Sequence, residues 1–208
     1  DYRLPDVNEG EYMFTVNKEG AIVYGLGAIK GLGEGPIENM IKTRDESGPF
    51  TNLFDFCERT DPRKVNKRAI DALIRSGSFD TLGVERAILL AAMPEAVKAA
   101  EQSAGNRDAG MMDLFGDVVS ADEHGDVYSG YQNVRPLSPK EKLGGEKDTL
   151  GLYVTGHPID EYEKELRQFV RNRIVDLKAD FNNQTMAGLV VGLRTMKNKR
   201  GDTMAFVT

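Results

Sequence analysis

"AIKGLGEGPIENMI", residues 28–41, sets Gly31, Gly33 and Gly35 within five positions, then adds Pro36 and an apolar pattern. Glycine takes backbone angles that other residues avoid. Without Cβ, the chain can press its N–H groups against an anion. A helix that follows adds its own unsatisfied N–H groups and the positive end of its dipole. The stretch therefore predicts a helix, a tight Gly31-Leu32-Gly33 turn and a second helix, together forming a phosphate site. Pro36 suits a first helical turn, where a missing N–H costs nothing. Leu32 is predicted to tuck between the helices. The alternative is an ordinary glycine-rich loop. It is not a nucleotide fingerprint: Gly25 to Gly31 lacks the G-x-G-x-x-G spacing, and no G-K-[ST] follows.

Working outward, the pattern from residue 25 to about 100 is helical. Ile37, Met40 and Ile41 recur at i, i+3, i+4, as do Ile70, Leu73 and Ile74. Another helix is expected after Gly83 through "VERAILLAAM", broken or kinked at Pro94, with "EAVKAAEQSA" as a further helix. Residues 66–91 repeat the first arrangement more weakly. A helix reaches the turn Ser76-Gly77-Ser78, and another helix follows. Two such units, packed as a pseudo-symmetric pair, would each grip one backbone of a duplex across the minor groove.

Net charge is −6, but its distribution matters more than its sum. Residues 59–75 hold six cations against two acids, a net +4. Among them Arg63, Lys64, Lys67 and Arg68 are well placed for phosphate contact, or else form a solvated helix face. Residues 194–200 carry four cations and no acid. Residues 101–126 hold seven acids and one arginine, a net −6.

At the N-terminal end, "EYMFTVNKEGAIVYGL" (11–26) reads as a β-hairpin turning at "NKEG". From Gly105 to about Pro139 periodicity fades into Gly, Asp, Ser and Pro, an exposed linker. It contains one apolar island, Met111-Met112-Asp113-Leu114-Phe115. An exposed Leu-Phe pair is costly unless a partner's pocket or the chain's own domain receives it. Order resumes at 148–169, with a Gly-His-Pro break and a helix bearing Tyr162, Leu166 and Phe169 on one side. Residues 185–208 read as two antiparallel strands joined by a basic turn.

Catalytic chemistry finds little support. Phosphoryl transfer needs clustered carboxylates holding metal ions, and the acids here stand singly. His157, in "TGHPID", is expected to order the turn before Pro158, and His124 to be solvated. Cys57 has no second cysteine to pair with and sits among apolar residues, so a buried thiol in a reducing, cytoplasmic setting is expected. No apolar run approaches the roughly 18 residues of a membrane span. The opening without methionine and the close within a strand-like run lead us to expect a segment of a longer protein.

Residues 22–44, "IVYGLGAIKGLGEGPIENMIKTR", resemble the tandem helix-hairpin-helix region of the bacterial replicative DNA polymerase III alpha-subunit family. The resemblance continues, in order, through "LFDFCERTD", "LIRSGSFDTLG" and "TLGLYVTGHPIDEY", and ends in strands like the start of that family's OB domain. It implies an α+β, mainly α fold. The expected parts are a fingers-like end with a β-hairpin (1–24), a tandem helix-hairpin-helix domain (25–104), an acidic linker (105–139), a connecting helical segment (140–184) and the first OB strands (185–208). It implies duplex DNA binding through Lys30, Gly31, Leu32, Gly33, Gly35, Arg63, Lys64, Lys67, Arg68, Ser76, Gly77 and Ser78. It also implies docking of residues 111–115 on the sliding clamp, the beta subunit. Leu114 and Phe115 would fill the clamp's cleft, and Met111 stands where that motif usually has glutamine. Other replicase subunits, and single-stranded template at the OB strands, are further implied partners. The family's catalytic aspartates lie upstream of Asp1, so this segment is expected to be inactive and without cofactor. Its parent is expected to be a DNA-directed DNA polymerase using magnesium.

Two other readings share some of these features. A non-catalytic helix-hairpin-helix/OB protein of recombination or repair would need Gly31, Gly33 and the basic run, but not Leu114-Phe115 in an open linker. A glycosylase-type repair enzyme would need a catalytic Asp or Lys just beyond the hairpin, and no pocket-lining pattern accompanies Glu34 or Asp45.

Overall fold

The computed structural model describes residues 2–108, 127–170, 175, 177–179 and 181–208. They form two compact units, the chain passing from one to the other between Thr155 and Gly156. The architecture is mainly helical with small sheets.

The first unit opens with strands β1 (Tyr2–Arg3), β2 (Thr15–Val16) and β3 (Ile22–Val23). β3 lies in the middle, parallel to β1 and antiparallel to β2. The expected turn at "NKEG" is present. The Asn17 side chain accepts the amides of Glu19 and Ala21, and the Gly20 amide donates to the Asn17 carbonyl. The strands are shorter than the sequence pattern implied.

Helices α1 (Glu34–Ser47), α2 (Leu53–Arg59), α3 (Lys67–Arg75) and α4 (Arg86–Asp108) follow. α2 and α3 start on Asn52 and Asn66, whose side chains accept the amides of Asp55 and Ala69. Each such cap stabilises by about 1 kcal/mol. The apolar stripes that predicted α1 and α3 turn inward: Ile37, Met40, Ile70, Leu73 and Ile74 are buried. Phe56 centres this core, with its ring 4.9 Å from Phe50 and 5.0 Å from Phe79, both edge-on. Each fully buried side chain of this size contributes about 2 kcal/mol by leaving water. Cys57 is buried there, and desolvation pushes its thiol up to about 12.

α4 runs through Pro94 without the expected break. Pro94 lies on the exposed side, where the carbonyl it leaves unbonded can face water. Leu89, Ala92, Ala96, Val97 and Ala100 stay buried along the opposite face and hold both halves to one core. After residue 126 the chain returns at Tyr128, a buried residue whose hydroxyl accepts the Leu53 amide at 2.9 Å.

Helix α5 (Pro139–Leu150) begins with a capping box, Ser138 and Glu141 bonding each other's backbone N–H. Its end is fixed by the Tyr24 hydroxyl, which donates to the Leu150 carbonyl at 2.6 Å, and by the Lys30 amide, which donates to Thr149 at 2.8 Å.

In the second unit, His157 orders its turn as expected. Its Nδ1 accepts the Ile159 amide, and its own amide donates to Asp160. Helix α6 (Glu163–Phe169) follows, with Tyr162 and Phe169 exposed. Strands β4 (Leu193–Lys197) and β5 (Thr203–Val207) pair antiparallel, Thr195 opposite Ala205. No closed barrel forms among the described residues. Nor is any described helix long and apolar enough to cross a membrane.

Candidate nucleic-acid interface

The element before the first turn is not the expected helix but a single 3-10 turn, Leu26–Ala28. The Leu32 amide bonds back to Ile29, and the Leu32 side chain is buried in the core. Gly31 between them has φ +85°, a conformation costly for any residue with a Cβ. The amides of Gly31, Gly33, Glu34 and Gly35 make no hydrogen bond among the described residues. All four residues are exposed. A Cβ built on Gly31 or Gly35 meets nothing within 4 Å, and one on Gly33 meets only Pro36 Cδ at 3.9 Å. Gly33 and Gly35 have negative φ. Neither this chain's packing nor its backbone angles therefore require glycine at 33 and 35, whereas close approach of another molecule would.

The basic run stands beside this turn's helix. Asn39, on α1, accepts the Asp61 amide at 2.9 Å and so ties the loop of Arg63 and Lys64 to α1. Arg63, Lys64, Lys67 and Arg68 are exposed. Arg63 pairs with Asp61 at 3.2 Å; its amide and guanidinium hold the Asp61 carboxyl below its usual range. Lys64, Lys67 and Arg68 have no carboxylate partner among the described residues.

The second turn corrects the sequence reading. Ser76, Gly77 and Ser78 do not offer a phosphate cradle. Their amides bond the carbonyls of Ala72, Ile74 and Leu73, the last two forming the Schellman pattern that closes α3. Gly77, at φ +82°, is thus a helix stop. Ser76 and Ser78 are fully buried, with their hydroxyls 2.8 Å apart. A Cβ on Gly77 would also strike the Arg86 guanidinium. The outward turn lies further on. Gly83 has φ +75°, and the amides of Val84, Glu85 and Arg86 lack partners among the described residues. The available signal was the Leu82-Gly83 pair before a helix, matching Leu32-Gly33.

Asp80 and Arg86, on either side of Gly83 in sequence, belong to a charge network that the sequence did not reveal. Arg86 grips Asp80 with two bonds, 2.8 and 2.7 Å, and lies 3.2 Å from Glu146. Glu146 also accepts from the amides of Val154 and Thr155 and from the Thr155 hydroxyl. This network fixes the second turn to α5.

Residues 111–115 lie outside the described residues. Among the described residues no three His, Cys, Asp or Glu side chains are grouped to hold a metal.

Comparison with known proteins fits this geometry. Residues 1–89 match the model of the helix-hairpin-helix motif. Over 98% of its length the chain is 56% identical to the DNA polymerase III subunit alpha of Pseudomonas aeruginosa, covering 19% of that protein. It is 46% identical to the same subunit of Escherichia coli and 44% to that of Haemophilus influenzae, over 98% of this chain and 18% of each relative. The chain thus spans about a fifth of the length of the curated relatives it matches.

Proposed function

Because this chain belongs to the DNA polymerase III alpha-subunit family, we propose that it holds duplex DNA by its backbone phosphates within a chromosome-replicating DNA polymerase. The observation that carries this reading is the open turn at 31–35, with four amides lacking partners among the described residues and glycines that leave room for a close approach. The cations Lys64, Lys67 and Arg68, without a carboxylate partner among the described residues, supply long-range attraction, and the turn at Gly83 supplies a second grip. Such contacts follow the backbone and carry no base information, which suits an enzyme that must travel over any sequence.

Clamp docking by Met111–Phe115 belongs to the same reading. A second attachment raises effective concentration without new DNA contacts, so dissociation becomes rare. Other replicase subunits and single-stranded template at β4–β5 are further proposed partners. The work is that of a cytoplasmic replicase. Nucleotide transfer with magnesium is proposed for the longer protein, outside this chain.

The test substitutes Gly35→Ala and Gly33→Ala. Alanine inside α1 at position 35 stabilises by up to about 1 kcal/mol. If phosphate approaches here, duplex affinity falls about tenfold per lost charge-assisted bond, while thermal stability holds or rises in Gly35→Ala and drops by no more than about 1 kcal/mol in Gly33→Ala, at the N-cap of α1. Unchanged affinity in both variants overturns the reading.

A further inference from the structure

The connecting helix α5 carries Lys147 in its last turn. Lys147 Nζ donates to the Gly151 carbonyl at 2.9 Å and stands 5.3 Å from the centroid of the Tyr153 ring. Gly151 closes α5 with φ +81°. Lys30 reaches the same glycine from the hairpin. Its Nζ lies 3.7 Å from where a Gly151 side chain would begin. Lys30 immediately precedes Gly31, and its own amide is held by Thr149. Backbone and side chain together therefore press the open turn against the end of α5.

Two ammonium groups thus converge on one glycine, and Lys30 leads directly into the turn where the amides of Gly31, Gly33, Glu34 and Gly35 lack partners among the described residues. Neither forms an ion pair with a carboxylate among the described residues. Asp148 follows Lys147 in α5 but makes no ion pair with it. Local compensation comes from the carbonyl end of α5, equivalent to about half a negative charge. Set against two full positive charges, that leaves a clear surplus. Holding like charges together is unfavourable unless an anion joins them.

Resting on the duplex reading, we infer that Lys30 and Lys147 together ligate a second backbone phosphate, beside the one cradled by residues 31–35. α5 then belongs to the DNA-binding face rather than serving only as a connector. The ligand is a phosphodiester of the same duplex, and the Lys147 ammonium lies over the Tyr153 ring.

The test measures duplex affinity of this chain across roughly 50–200 mM salt. Wild type is compared with Lys30→Gln/Lys147→Gln and with Lys64→Gln/Lys67→Gln. Glutamine keeps a donor for the Gly151 carbonyl but removes the charge. Each lost phosphate contact flattens the log–log salt slope by about 0.9. The Lys30/Lys147 pair is expected to lower the slope with melting temperature retained, and Lys147→Arg to restore it. A slope unchanged in that pair but lowered in the Lys64/Lys67 pair overturns this inference alone. It would mean that Lys147 only caps α5. Failure of wild type to bind duplex at any salt overturns both readings. If Lys30→Gln/Lys147→Gln does not fold, Lys147→Gln alone decides by the same slope.

Discussion

Arg86 Nη2 lies 3.2 Å from Glu146 Oε1, with the two side chains 4% and 0% exposed. Sixty residues apart in sequence, they join the start of α4 to the middle of α5. Burial alone would push the Glu146 carboxyl up. The hydrogen bonds from Thr155 and Val154, together with the Arg86 charge, outweigh it and hold the carboxyl low.

Removing one partner leaves the other buried and uncompensated. Arg86→Met is expected to destabilise the first unit by about 3 kcal/mol, read by chemical denaturation. In a double-mutant cycle, Arg86→Met/Glu146→Leu should lose less than the sum of the single changes. Strictly additive losses would show that the pair is not coupled.

Acid should loosen α5 in a defined window. Hydrogen bonds from Arg135 and Ser138 bring the Glu141 carboxyl from an ordinary 4.5 down to about 2. Its folded value is depressed, so its contribution is fully present above about 4.5. It is lost as pH falls through about 2. Glu146 shifts in the same direction. Glu141→Gln should therefore show a shallower fall in melting temperature between those pH values than wild type. Parallel curves would place the acid sensitivity elsewhere.

Clamp docking can be separated from DNA binding. Leu114→Ala/Phe115→Ala is expected to abolish calorimetric binding to a bacterial sliding clamp while duplex affinity stays the same. Met111→Gln should tighten the clamp contact by about tenfold, since glutamine adds hydrogen bonds that methionine cannot make. Full clamp affinity in the double variant would remove residues 111–115 from the interface.

Much of the first unit was legible locally. The stripes Ile37–Met40 and Ile70–Leu73–Ile74 gave α1 and α3, and the crowded glycines marked the open turn at Gly31. Ser76-Gly77-Ser78 misled because a left-handed glycine serves two purposes that look alike in sequence. At Gly31 it exposes amides; at Gly77 it folds them back to end a helix. Only the neighbours' hydrogen bonds distinguish the two. Pro94 does not end α4 because the buried alanine and leucine face holds both halves of the helix to one core, against proline's local cost. The Arg86–Glu146 link and the approach of Lys30 and Lys147 to Gly151 depend on contacts between distant segments, which no periodicity encodes.

Glu146 has one more effect, at the edge of the first unit. It clasps the amides of Val154 and Thr155 and the Thr155 hydroxyl, and Thr155 is the last residue before the chain enters the second unit. The chain therefore leaves from a fixed peg rather than a frayed end. Loosening the knot at Glu146 would let the last residues of the first unit fray without changing a residue among them.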